Sequence, residues 1–255
     1  MNQGSLIRAV AGAALCLCLA GCRNAPGKPQ IGTATLRPEQ VMDFPMLFKQ
    51  NCAACHGAEG RQGAALSLAN PVYLTTAGFD NLRHTISYGL PETLMPAFDK
   101  KQGGLLTDAQ IDVLSKGMMQ TWGASTAGMV TLPYASQSVG DAERGRISYT
   151  TFCANCHGAN GTGNLHIAER TGSIIDPAYL DLISDQGLRS TIIAGRPDQG
   201  MPDWRSDMTG TNQRAMTDRE VTDTVAWIAS HRTPVSHQPL HAAITPQDER
   251  RTTHE

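Results

Sequence analysis

Aromatic residues make up only 5% of this 255-residue chain and charged residues only 17%, and the formal net charge is -2. Neither sign of charge dominates, so there is no basic footprint of the kind that nucleic-acid binding requires. The chain also lacks a comfortable membrane span. Its apolar run at residues 9–20 falls short of the roughly 20 residues that a spanning helix needs.

That short run belongs to a leader. Arg8 precedes it and Leu19-Ala20-Gly21-Cys22 closes it, and a charged start, an apolar core and small residues before a cut describe a secretory signal peptide over residues 1–21. The ending resembles the lipobox of bacterial lipoproteins. This implies that Cys22 becomes the lipidated first residue of a mature protein held on the membrane at the periplasmic side of a bacterial cell envelope. An ordinary signal peptide cut nearby, or an uncleaved anchor, is the competing reading. Removing the leader takes Arg8, Cys16 and Cys18 and leaves a net charge of -3.

Beyond the leader, two pentapeptides stand out: Cys52-Ala53-Ala54-Cys55-His56 and Cys153-Ala154-Asn155-Cys156-His157, each followed at once by glycine. Each reads as a haem attachment site. The two thiols add across the haem's vinyl groups, and the adjacent histidine is placed to ligate the iron. The expected cofactors are therefore two covalently bound c-type haems, held by Cys52, Cys55, Cys153 and Cys156. With these four committed and Cys22 lipidated, none of the seven cysteines remains for a disulfide, although the compartment permits one. A zinc site would need the two distant pairs to converge. A thioredoxin-like site would need a strand before the motif, and no strand-like alternation precedes either one.

The chain repeats itself around these motifs. Asn70-Pro71-Val72-Tyr73-Leu74 returns as Asp176-Pro177-Ala178-Tyr179-Leu180, Leu82 to Ile86 returns as Leu188 to Ile192, and Leu94-Met95-Pro96 as Gly200-Met201-Pro202, all at an offset of 106. Capping boxes at Thr107-Gln110 and Thr217-Glu220 precede apolar helical faces, Ile111, Leu114 and Met118 in one half and Val221, Val225 and Ile228 in the other. The same parts in the same order mark a tandem duplication. The expected layout is a flexible tether over 22–40, a first domain over 41–122, a linker over 123–140, a second domain over 141–232 and a polar tail over 233–255.

His56 and His157 each supply one axial ligand, so each iron needs a second. Met95 and Met201 are the favoured candidates because they occupy equivalent repeat positions, each before a proline and about forty residues past its histidine. A thioether favours Fe(II) and raises the reduction potential relative to a second histidine. Most of the ten methionines are better read as packing or surface. Met208 and Met216 remain minor alternatives for the second haem, and His84 and His166 keep a bis-histidine site open.

At these residues the chain resembles the class I cytochromes c, in a diheme tandem form, over residues 41–232. The resemblance implies an all-α fold of two tandem domains, each a few helices wrapped round one covalently bound haem, with the first and last helices crossing. In the second domain Gly145 and Tyr149 fall where the family places its crossing glycine and aromatic, opposite Trp227. The first domain departs from that pattern, with Phe44 and Pro45 in the stretch aligned with Gly145 and Arg146 and Gly117 aligned with Trp227, and its crossing is expected to be built differently or its first helix to be shorter. The family also orients the haem histidine with a backbone carbonyl near a proline, a place that Pro71 and Pro177 would mark. Two irons with both axial positions filled leave no place for a substrate. The expected role is therefore electron transfer between redox protein partners, free-standing or within a membrane oxidoreductase complex, rather than catalysis. A diheme peroxidase with one open iron site is the alternative.

Overall fold

The structure is a computed structural model, and it describes residues 36–91, 93–123, 128, 130–164, 171–205 and 214–233. The leader, Cys22, His166, Met208 and the tail histidines lie outside these residues. Contacts divide the chain into a unit ending at Gln40 and a second beginning at Val41. In the first, Pro38–Gln40 forms a 3-10 turn.

The second unit is helical, and among the described residues it has isolated bridges but no strand. Helix α1, Phe44–Asn51, starts where Asp43 accepts a hydrogen bond from the Met46 amide at 2.9 Å, with Pro45 in the first turn where no N–H is missed. One further turn, α2 (Ala53–His56), carries the first haem motif. Helix α3, Pro71–Tyr88, is capped by Asn70 and broken at Gly78, whose φ of 67° and ψ of 171° are not helical. Helix α4, Asp108–Trp122, opens on the Thr107–Gln110 capping box, and its Ile111, Leu114 and Met118 are buried in the first core.

The second half repeats the set as α5 (Ala142–Phe152), α6 (Ala154–His157), α7 (Pro177–Leu182), α8 (Asp185–Ala194) and α9 (Asp218–Ala229). The break at Gly78 is the point where the second half separates α7 from α8, with Ser184 capping the latter through the Gly187 amide at 3.1 Å. Thr217 and Glu220 form the expected capping box of α9, which buries Val221, Val225 and Ile228.

In the second domain α5 crosses α9 at Gly145. A Cβ added there would lie 1.9 Å from the Asp223 carbonyl oxygen, so only glycine permits the approach. Tyr149 and Trp227 stack beside it with ring centroids 4.1 Å apart. Arg144 grips the buried Asp223 carboxylate through two nitrogens at 2.8 and 3.0 Å. Burial pushes the Asp223 carboxyl up, but Arg144 and the Asp141 amide outweigh it and hold it below the usual carboxylate range.

The first domain reverses the partners of this crossing. Helix α1 is three residues shorter than α5, and its Phe44 ring fills the space over Gly117 of α4. The missing indole comes from further along α4. Trp122 packs edge-on against Phe44 and Phe48 at 5.6 and 5.1 Å and covers Gly60, as Trp227 covers Gly161.

The two halves pack through α3 and α8. Val72 of α3 is buried in the second core and Ala194 of α8 in the first. The linker is tied down here too: the buried Arg189 donates to the carbonyls of Pro133 and Tyr134 at 2.7 and 3.0 Å, and also reaches Asp218.

Candidate haem centres

In each attachment turn the amide of the histidine bonds back to the carbonyl of the first cysteine, His56 to Cys52 at 3.0 Å and His157 to Cys153 at 2.9 Å. One helical turn therefore sets both thiols of a pair on the same side, three residues apart, with the histidine next to the second. The glycine after the histidine ends the turn. Gly57 and Gly158 have φ of 83° and 79°, and a Cβ on them would meet the carbonyl oxygens of Arg61 and Gly163 at 1.9 and 2.5 Å.

His56 is buried, and its Nδ1 lies 2.8 Å from the Leu66 carbonyl oxygen. A carbonyl only accepts, so Nδ1 carries the proton and Nε2 keeps its lone pair free for a metal. Burial holds the His56 pKa below its usual 6.5, with the Leu66 carbonyl pulling weakly the other way, so the ring is neutral as ligation requires. The orienting carbonyl is thus Leu66 and not a residue beside Pro71. Pro71 and Pro177 instead occupy the first turns of α3 and α7, where a proline's fixed φ and missing N–H suit a helix start. Burial likewise lowers the pKa of His157, whose Nδ1 has no hydrogen-bond partner among the described residues.

All four motif cysteines are unpaired thiols. Burial, and then the neighbouring Cys55 or Cys156, pushes Cys52 and Cys153 up to about 12. Among the described residues no three His, Cys, Asp or Glu side chains gather at one point, so the two motifs do not converge on one metal.

The methionine loops are closed by a device that the motif spacing alone did not reveal. Helices α3 and α8 both end on a glycine of positive φ, Gly89 at 69° and Gly195 at 65°. Each is pressed against the loop it launches: a Cβ on Gly89 would lie 2.6 Å from the Met95 carbonyl oxygen, and one on Gly195 2.5 Å from that of Pro202. The Leu90 amide bonds the Met95 carbonyl at 3.0 Å, and Arg196 and Met201 exchange both backbone bonds at 2.9 and 3.0 Å. Phe98 and Trp204 then return to the carbonyls of Ile86 and Ile193 at 3.0 and 3.3 Å. The signal was in the sequence, since Gly89 and Gly195 share the offset of 106 that relates the two methionines.

Met95 and Met201 are partly buried in these loops. Their rivals are otherwise placed: Met118 lies in the first core, Met216 in the second, and Met46 is exposed. His84 stacks on Tyr88 at 4.6 Å, and His231 packs edge-on to Trp227 at 4.8 Å with its Nδ1 on the Trp227 carbonyl.

The residues fit a haem in chemistry as well as in spacing. Around the second methionine loop, Nε of Arg196 and Nε1 of Trp204 are buried without hydrogen-bond partners among the described residues. Both atoms are donors, unpaired buried donors are costly, and a haem brings two carboxylates. The family described as Cytochrome c matches residues 142–232, and the family described as Cytochrome C oxidase, cbb3-type, subunit III matches residues 39–126. The chain is a diheme cytochrome c.

Each half of this cytochrome carries one c-type haem. Among its relatives, the cbb3-type cytochrome c oxidase subunit CcoP of Azospirillum sp. (strain B510) is 33% identical over 130 residues, 46% of this chain and 39% of its own length. The cbb3-type cytochrome c oxidase subunit FixP of Bradyrhizobium sp. (strain ORS 278) is 29% identical over 179 residues, 67% of this chain and 56% of its own length. The chain thus spans between about two fifths and a little over half of the length of these relatives. Among the described residues no helix is long and apolar enough to cross a membrane.

Proposed function

We propose that this cytochrome is an electron-transfer subunit of a membrane-bound respiratory oxidoreductase, the cbb3-type oxidases that give its relatives their names being the class it fits best. Cys52 and Cys55 tether the haem of the first domain (41–122), and Cys153 and Cys156 that of the second (141–232). His56 and Met95 would ligate one iron, and His157 and Met201 the other. When bound, each haem supplies one-electron chemistry between Fe(II) and Fe(III), with a thioether ligand favouring the ferrous form. The chain's own residues do the rest. The two histidines are kept neutral by burial, the glycine-pinned loops present the thioethers, and the two helix crossings keep water from the cores. Cys22 anchors the mature chain by lipid at the periplasmic face, and residues 22–40 tether the domains to it.

The observation that supports this reading is the pair of closed methionine loops, one per attachment turn, each of which would supply a thioether as the second ligand of its iron. Potentiometric titration of the purified holoprotein tests it. Two low-spin haems, each showing the methionine-to-iron charge-transfer band when oxidised and each cycling reversibly, are expected, together with co-purification of a membrane oxidase. A high-spin haem in the oxidised protein would overturn the electron-carrier reading. A Cys22→Ser chain that stays in the membrane fraction would overturn the lipid anchor.

A further inference from the structure

Asn70 and Asp176 are equivalent residues of the repeat and perform the same local task. Each accepts, through Oδ1, the second and third amides of its helix: Val72 and Tyr73 at 3.0 and 3.2 Å for Asn70, Ala178 and Tyr179 at 2.9 and 3.2 Å for Asp176. A carboxylate makes the same cap at Asp176, where the residue is exposed. The first domain nevertheless has the amide, and the amide has a use there. Asn70 is buried between the domains, and its Nδ2 donates to the carbonyl oxygens of Ala194 at 2.9 Å and Gly195 at 3.4 Å.

Those two carbonyls lie at a particular place. Ala194 is the last residue of α8, and Gly195 is the positive-φ glycine that turns the chain into the Met201 loop. Carbonyls at a helix C-terminus have no partner within the helix, so an outside donor fixes them. The donor here belongs to the other domain, 124 residues away in sequence. The Val72 and Ala194 side chains, exchanged between the two cores, hold the same junction on either side of Asn70. Arg196, whose two backbone bonds to Met201 close the loop, is the very next residue.

We propose that Asn70 is a positioning residue for Met201: the first domain holds the root of the second domain's methionine loop through this one side-chain amide. The proposal rests on Met201 being the axial ligand. Under it, the stability of the methionine–iron bond in the second haem depends on a residue of the first domain. The two irons are then unequal in how readily an outside ligand displaces their methionines.

Asn70→Asp tests this, because it keeps a cap oxygen and puts a second oxygen in the place of the donor. Asn70→Ser, which also caps but carries no buried charge, guards against a fold defect specific to aspartate. Imidazole is titrated into the oxidised holoprotein, and the loss of each methionine band is assigned to its haem with Met95→Ala and Met201→Ala. Both Asn70 variants should raise imidazole affinity at the second haem about tenfold, the scale of one lost hydrogen bond, and leave the first haem unchanged. Unchanged affinity at the second haem, or an equal rise at both, would overturn the proposal. If the unsubstituted protein shows no methionine band at its second haem, the ligand assignment itself fails and takes the proposal with it.

Discussion

Gly117 lies so close under the Phe44 ring that a Cβ added to it would stand 2.3 Å from Phe44 Cδ2, whereas in the second domain the glycine, Gly145, is on the opposite helix and faces Asp223 and Trp227. Small-against-large packing is kept at both crossings with the partners exchanged. The two obstacles differ in kind. Gly145→Ala strikes a backbone oxygen at 1.9 Å, which moves only if α5 and α9 part. Gly117→Ala strikes the root of the Phe44 side chain, Cγ at 2.3 Å and Cβ at 2.9 Å, which gives way only through a new χ1 rotamer or a shift of α1. Overpacking of this sort costs about 1–3 kcal/mol, with Gly145→Ala at or above the top of that range and Gly117→Ala lower, because a side chain gives more readily than a backbone oxygen. Urea unfolding of the holoprotein, followed at each haem's absorbance, measures both; a larger loss for Gly117→Ala would contradict the distinction between backbone and side chain.

The assignment of Met95 and Met201 predicts two separable effects. Met95→Ala should lower the potential of the first haem by on the order of 100 mV or more and leave the second within experimental error, and Met201→Ala should do the reverse. Gly89→Ala should reproduce the Met95→Ala result in weaker form, because the added methyl meets the Met95 carbonyl oxygen at 2.6 Å on a backbone with φ of 69°. Redox titration resolves all three. A Met95→Ala protein with both potentials unchanged would remove the ligand assignment.

The parts of this architecture that are local in the chain could be read from its letters. Both attachment turns, both capping boxes, the Asp43 and Asp141 caps and the paired methionine loops involve residues a few positions apart, and the repeat checks each against its copy. What could not be read is set by pairs of residues far apart. Position-by-position alignment puts Gly117 against Trp227 and finds a missing aromatic, yet the indole is present at Trp122, more than a helical turn later, and covers the same glycine of the haem loop. The carbonyl that orients His56 is a backbone atom of Leu66, and a backbone atom leaves no mark on the sequence. The Asn70 bridge looks like an ordinary helix cap until the second domain is brought beside it.

The α9 capping box predicts an acid-sensitive contribution to stability. The ion pair with Arg214 is the main cause holding Glu220 down at about 2 rather than 4.5, against burial, and the Thr217 amide and hydroxyl add to it. A lowered carboxylate pKa stabilises the fold fully above the unfolded value and loses that effect as pH falls through the folded one. The contribution should therefore be present above about pH 4.5 and be lost between there and about pH 2. Arg214 is 57% exposed, so solvent screening keeps the effect small. Glu220→Gln keeps the cap, as Gln110 does in the first domain, and should flatten this part of the stability-against-pH curve measured by urea midpoints. A curve of unchanged slope would contradict the assignment.

The two haem sites differ most where the second methionine loop has buried donors. Arg196 and Trp204 correspond, at the offset of 106, to Leu90 and Phe98 of the first domain, so the first loop presents no such donors. A guanidinium whose Nε is buried at the root of the second methionine loop would oppose the added positive charge of a ferric iron held there and so raise that haem's potential. Arg196→Leu, which copies the first domain, should lower the second potential by about 40 mV, corresponding to roughly 1 kcal/mol for a one-electron couple. Trp204→Phe removes a donor without removing a charge and should shift it less. Neither change should move the first haem. Spectroelectrochemistry of the two variants distinguishes charge from packing: a larger shift for Trp204→Phe than for Arg196→Leu would mean that the loop's shape, and not the charge of Arg196, sets the difference between the haems.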